Sequence, residues 1–83
     1  MITVEQIRAA RGLLGWSQTQ LAEKAGLSLP TVKRLETGNG PRVSNEAREK
    51  VAIALESAGI TFIGENGGGR GVRFRHRNSR RQQ

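Results

Sequence analysis

Eighty-three residues with a formal charge of +7, 35% hydrophobic content and no cysteine allow one domain with a small core, no second enzyme-sized unit, and neither a disulfide framework nor a thiolate metal site. The opening MITVEQIR has no basic flank or apolar run of signal length, and nothing approaches the ~20 apolar residues of a membrane span, so a soluble, cytoplasmic protein is expected. The basic excess favours a polyanion, nucleic acid being the usual one, although a positive surface also serves solubility alone.

Thr3 opens a first predicted helix as a capping box with Gln6, hydroxyl and side-chain amide each satisfying a backbone N–H that has no partner inside the helix. Ile7, Ala10, Arg11 and Leu14 then share one face at helical spacing, three apolar residues and one arginine aimed at the core. Gly12 is an unfavourable helix residue, and Gly15 breaks the chain before Trp16. A lone tryptophan beside a cap reads as a hydrophobic staple or core plug. Ser17 with Gln20 is a second capping box, after which Leu21, Ala22 and Ala25 fall on one side until Gly26 ends the helix. Ser28 caps a third helix whose first turn tolerates Pro30; Val32 and Leu35 point inward and Gly38 closes the segment. Two short helices joined by a glycine-containing turn of about three to four residues form a helix-turn-helix. Beyond the loop Asn39-Gly40-Pro41-Arg42-Val43, Ser44 caps a fourth helix. Ala47, Val51, Ala54, Leu55 and Ala58 repeat along it at helical spacing, with Ile53 adding bulk beside them and Gly59 as its C-cap.

Ile60-Thr61-Phe62-Ile63 is β-branched and aromatic without a polar helical face, which favours a strand. After a glycine-rich loop, Val72-Arg73-Phe74-Arg75 alternates apolar and basic with period two, a second strand whose apolar face bears Val72 and Phe74. A two-stranded hairpin is marginal alone, so this one is expected to pack on the fourth helix or to pair with its copy in a second subunit. Ile60, Phe62, Ile63, Val72 and Phe74 are the expected dimerisation residues. From His76 onward no apolar residue remains, and a mobile, disordered basic tail is expected. The charge follows this division: residues 1–59 carry eight Lys/Arg and six Glu, whereas residues 60–83 carry six Arg and one Glu. The expected organisation is therefore a DNA-binding unit over 1–59, a hairpin extension over 60–75 and a tail over 76–83.

The run from Ser17 to Gly38, SQTQLAEKAGLSLPTVKRLETG, carries a resemblance. Gly15, Ser17, Gln18, Leu21, Ala22, Ala25, Gly26, Ser28, Thr31, Val32, Leu35, Glu36 and Gly38 stand in a pattern similar to the Cro/phage-repressor (XRE) class of DNA-binding regulators, over roughly residues 3–58. The resemblance implies an all-α, four-helix, lambda-repressor-like helix-turn-helix domain, here with a C-terminal β-hairpin extension where relatives often have a fifth helix. It also implies that Arg11 pairs with Glu36, which suits a half-buried guanidinium in need of a bidentate acceptor. Base-reading positions fall on Leu29, Pro30, Thr31, Lys33 and Arg34. Leu29 and Pro30 depart from the commoner polar pattern and cannot make bidentate hydrogen bonds, which moves hydrogen-bonded readout to Thr31 and Arg34. Arg34 on guanine O6 and N7 is the foremost expected contact. Gln18 matches the phosphate-clamping position at a helix N-terminus, with Ser28, Asn39 and Arg42 as further phosphate contacts; each of these also has a bland reading as capping or solvation.

The implied function is sequence-specific binding of double-stranded DNA, as a homodimer on an inverted repeat, in transcriptional regulation. Repression and control of its own operon are family expectations. Two rivals stand beside it: a DNA-binding antitoxin, or other regulator whose residues 60–75 hold a protein partner, and a pure interaction module using the helix-turn-helix as scaffold. Chemistry is not indicated. Gly67 to Gly71 lacks the spacing and following helix of a phosphate loop, His76 has no carboxylate or nucleophile near it, and no glutamate pair is arranged for acid–base work. No enzyme activity, cofactor or metal is expected.

Overall fold

Local chemistry at the helix ends sets the frame. In the computed structural model, which describes residues 2–37 and 43–76, helix α1 (Val4–Leu14) starts with the Thr3 hydroxyl accepting from the Gln6 N–H at 3.1 Å and the Gln6 amide oxygen accepting from the Thr3 N–H at 2.9 Å. Gly15 ends it at φ 70°, a left-handed conformation that glycine adopts without the penalty of a Cβ. Helix α2 (Gln18–Ala25) repeats the device with Ser17, Gln20 and Gly26. The Ser28 hydroxyl accepts from the Thr31 N–H at the head of α3 (Leu29–Thr37), and Ser44 caps α4 (Asn45–Ser57). Here the expected C-cap is displaced: α4 closes on Ala58, and Gly59 follows with φ 106°.

The four helices bury one strip each. Ile7, Ala10 and Leu14 meet Leu21, Ala22, Val32, Leu35, Val51 and Leu55 in a single core, with Trp16 packed partly against it. Ile53 does not join them. It is 55% exposed, because it lies across the helix from the buried row and only a neighbouring element, not α4 itself, would cover it.

Strands β1 (Ile60–Ile63) and β2 (Gly71–Phe74) pair antiparallel, Ile60 opposite Phe74 and Phe62 opposite Val72. Side chains alternate between faces of a strand, so these four turn to the helices. Ile60 is buried in the core, and Phe62, Val72 and Phe74 pack against it. Of the apolar set expected at a dimer contact, those four are thus engaged within the chain, while Ile63 shares the other face with Thr61 and Arg73. Arg75 extends the ladder through its N–H to the Gly59 carbonyl at 2.7 Å. Its guanidinium donates twice to the Glu56 carbonyl, at 3.1 Å each, supplying the cation that the last turn of α4 lacks and complementing the helix dipole there.

The hairpin is also tied down at its far end. The buried Gln6 amide nitrogen donates to the Ile63 carbonyl at 3.0 Å and to the Gly71 carbonyl at 2.9 Å. One side chain therefore caps α1 and closes the ladder. Gln6→Ala removes three hydrogen bonds, each worth about 0.5–1.5 kcal/mol, and is expected to lower the thermal melting midpoint and to speed amide exchange at Ile63. Unchanged exchange at Ile63 would show that the hairpin does not depend on this anchor.

Candidate nucleic-acid interface

Glu36 sits near the end of α3 with 2% exposure, a burial that an isolated carboxylate does not tolerate. Three donors converge on it. Arg11 Nε reaches Oε2 at 2.8 Å, Arg11 Nη2 reaches Oε1 at 2.9 Å, and Gln18 Nε2 reaches Oε1 at 3.1 Å. The remaining Arg11 nitrogen, Nη1, donates to the Trp16 carbonyl at 3.0 Å. Donating hydrogen bonds to Glu36 raises the Arg11 pKa above its ordinary value; burial works against this and the Coulombic attraction of Glu36 adds to it. The expected Arg11–Glu36 pair is present, and it is bidentate. It fastens α1 to the end of α3, and through Gln18 the start of α2 is held to the same carboxylate.

That arrangement orients Gln18. Its side chain is half-buried against Glu36, yet its backbone N–H lies in the first turn of α2, where donors without intrahelical partners favour an anion. Both roles fit one residue.

The opposite side of α3 is open. Pro30, Lys33 and Arg34 are exposed, and Leu29 and Thr31 are half-buried. Among the described residues neither Lys33 nor Arg34 has a carboxylate partner, so both cations remain available to a ligand. Thr31 is less free: its hydroxyl lies 2.8 Å from that of Ser28, and one of the two must donate to the other. The structure thus brings Ser28, Thr31 and Arg34 onto one exposed surface. Asn39 and Arg42, expected to meet phosphate, lie outside the described residues.

A polar cleft of about 330 Å³ runs beside α3, with Thr31 and Arg34 on one side and Ser44, Glu46 and Lys50 on the other. Lys50 is a cation that spacing along the chain does not single out. Its distance from Glu46, four residues earlier, signals only a surface pair, and the two do approach, at 3.8 Å; its place beside Arg34 depends on how α4 packs. Among the described residues no group of three or more His, Cys, Asp or Glu is gathered as metal ligands, and no helix is long and apolar enough to cross a membrane.

No curated protein matches the chain. A family model described as helix-turn-helix matches residues 7–58, a span that takes in α1 from Ile7 onward and the whole of α2, α3 and α4. With α3 held from behind by a buried ion pair and presenting the exposed Lys33 and Arg34 in front, the chain belongs to the XRE/Cro-type helix-turn-helix family of DNA-binding regulators.

Proposed function

We propose that the protein is a homodimeric transcriptional regulator that binds double-stranded DNA sequence-specifically, with α3 in the major groove. The observation that carries this reading is the exposed Arg34, without a carboxylate partner among the described residues, and Lys33 beside it on a helix whose rear is fixed by Glu36. A rigid base lets a side chain reach a base edge without losing its placement. Arg34 then reads guanine through O6 and N7, Thr31 and Lys33 contribute beside it, and Leu29 and Pro30 meet thymine methyl groups or fill space. Gln18, Ser28, Asn39 and Arg42 hold phosphates on either flank.

One such helix reads only a few base pairs, which favours a symmetric dimer on an inverted repeat with half-sites about 34 Å apart. The outer hairpin face with Thr61 and Ile63 is where we place the second subunit. Occlusion of a promoter, its own included, is the regulatory outcome we assign. Selection of duplexes from a random pool by the full chain, followed by footprinting, tests the reading: a recovered inverted repeat supports it, and a pool without a consensus contradicts it.

The basic tail adds a separate expectation. Deleting residues 76–83 removes Arg77, Arg80 and Arg81, and for every phosphate no longer neutralised the slope of log affinity against log salt falls by about 0.9. Binding to all sequences is expected to weaken alike with a flatter salt dependence, read by anisotropy across a salt series. Weakening confined to one operator would place these arginines at base edges instead.

A further inference from the structure

Between α2 and α4 lies an open groove of about 410 Å³ that the DNA-binding reading does not use. Its floor is Ala25 and Ala54, both buried, and its sides include the half-buried Trp16 and the exposed Ile53. Lys24 and Lys50 border it, Lys24 with its Nζ 5.8 Å from the centroid of the Trp16 ring. Among the described residues no carboxylate lines it, the nearest partner of Lys50 being the exposed Glu46 at 3.8 Å. An apolar trough edged by two cations is complementary to a ligand that offers an apolar side chain flanked by negative charge.

We propose that this groove docks an acidic amphipathic helix of a partner protein. An apolar side chain of that helix seats between Trp16 and Ile53, and carboxylates beside it meet Lys24 and Lys50. Two other occupants fit worse. A second copy related by a twofold axis would lay the patch on itself, setting Lys24 and Lys50 against their own equivalents. Duplex DNA would satisfy the lysines but leave Ile53 and Trp16 facing a charged backbone. A helix with apolar residues one turn apart and glutamates on its flanks matches both features at once. None of Thr31, Lys33 and Arg34 lines the groove; Lys50 alone of the α3 cleft's cations borders both, so the partner and a duplex adjoin at that one lysine. The proposal stands on the groove alone and does not require the DNA-binding reading.

The protein carries its own reporter, since Trp16 is the only tryptophan and there is no tyrosine. The full chain is titrated with a synthetic peptide bearing leucines at positions i, i+3, i+4 and i+7 and glutamates elsewhere, and with the same peptide carrying lysines for the glutamates. The acidic peptide is expected to change Trp16 emission saturably, with an affinity that falls as salt rises, and the lysine peptide to leave it unchanged. Ile53→Glu and, separately, Lys50→Glu are each expected to weaken the acidic peptide by about tenfold or more. Both replace exposed side chains, so their melting curves are expected to stay near that of the parent. No emission change with the acidic peptide, or equal changes with both peptides, overturns the proposal. So does a shift from dimer to monomer on Ile53→Glu in sedimentation of the protein alone, which would assign the groove to a second copy.

Discussion

Glu36→Ala is expected to destabilise the folded protein by about 3–5 kcal/mol, the usual consequence of removing one partner of a buried ion pair. The carboxylate is where Arg11 and Gln18 converge. Without it the guanidinium, with only 22% of its side chain exposed, keeps one acceptor among the described residues, the Trp16 carbonyl. Small domains unfold with a total of about 5–15 kcal/mol, so this one change is expected to remove much of the stability. The urea midpoint reads it directly. The pair itself is a different matter, because charges taken out of water gain little over well-packed apolar groups. Arg11→Met with Glu36→Leu is therefore expected to recover most of the loss. If Glu36→Ala melts like the parent, the ion pair does not hold α3 in place.

Arg34→Ala is expected to act on binding and leave folding alone, since the side chain is exposed and has no carboxylate partner among the described residues. A bidentate arginine–guanine contact contributes about 1–3 kcal/mol of discrimination, or roughly 5- to 150-fold in affinity. The weakening is expected on the selected duplex and to be much smaller on a duplex whose contacted guanine has been replaced. Anisotropy at one fixed salt concentration separates these cases. Equal weakening on every duplex would make Arg34 a phosphate contact.

The features legible in the sequence are those whose chemistry is local. Thr3 with Gln6 and Ser17 with Gln20 are capping pairs three residues apart, Gly15 and Gly26 follow helices that must stop, and period-two alternation announces β2. Gln6 marks the limit of such reading. Its capping role accounts for it fully along the chain, so nothing hints at its bonds to carbonyls 57 and 65 residues away. Ile53 fails for a related reason, because helical spacing separates faces but cannot say which flank a neighbour will cover. Arg75 reads as the last basic residue of the alternating second strand, yet its guanidinium caps α4 through the Glu56 carbonyl. Gln18 is a phosphate clamp by the family resemblance and a plain capping or solvated residue otherwise, and its bond to Glu36 depends on where the end of α3 comes to rest. At the candidate site, the Arg11–Glu36 pair follows from family resemblance and the need of a buried arginine for an acceptor, whereas Lys50 beside Arg34 requires the packing of α4.

Chemical-shift mapping of the full chain titrated with its selected duplex tests most directly whether α3 is the reading element. The resonances of Thr31, Lys33 and Arg34 are expected to shift together with that of Gln18, while those of the hairpin strand Ile60–Ile63 stay in place or move only by way of a dimer contact. Shifts that spare α3 and gather elsewhere on the domain would contradict it.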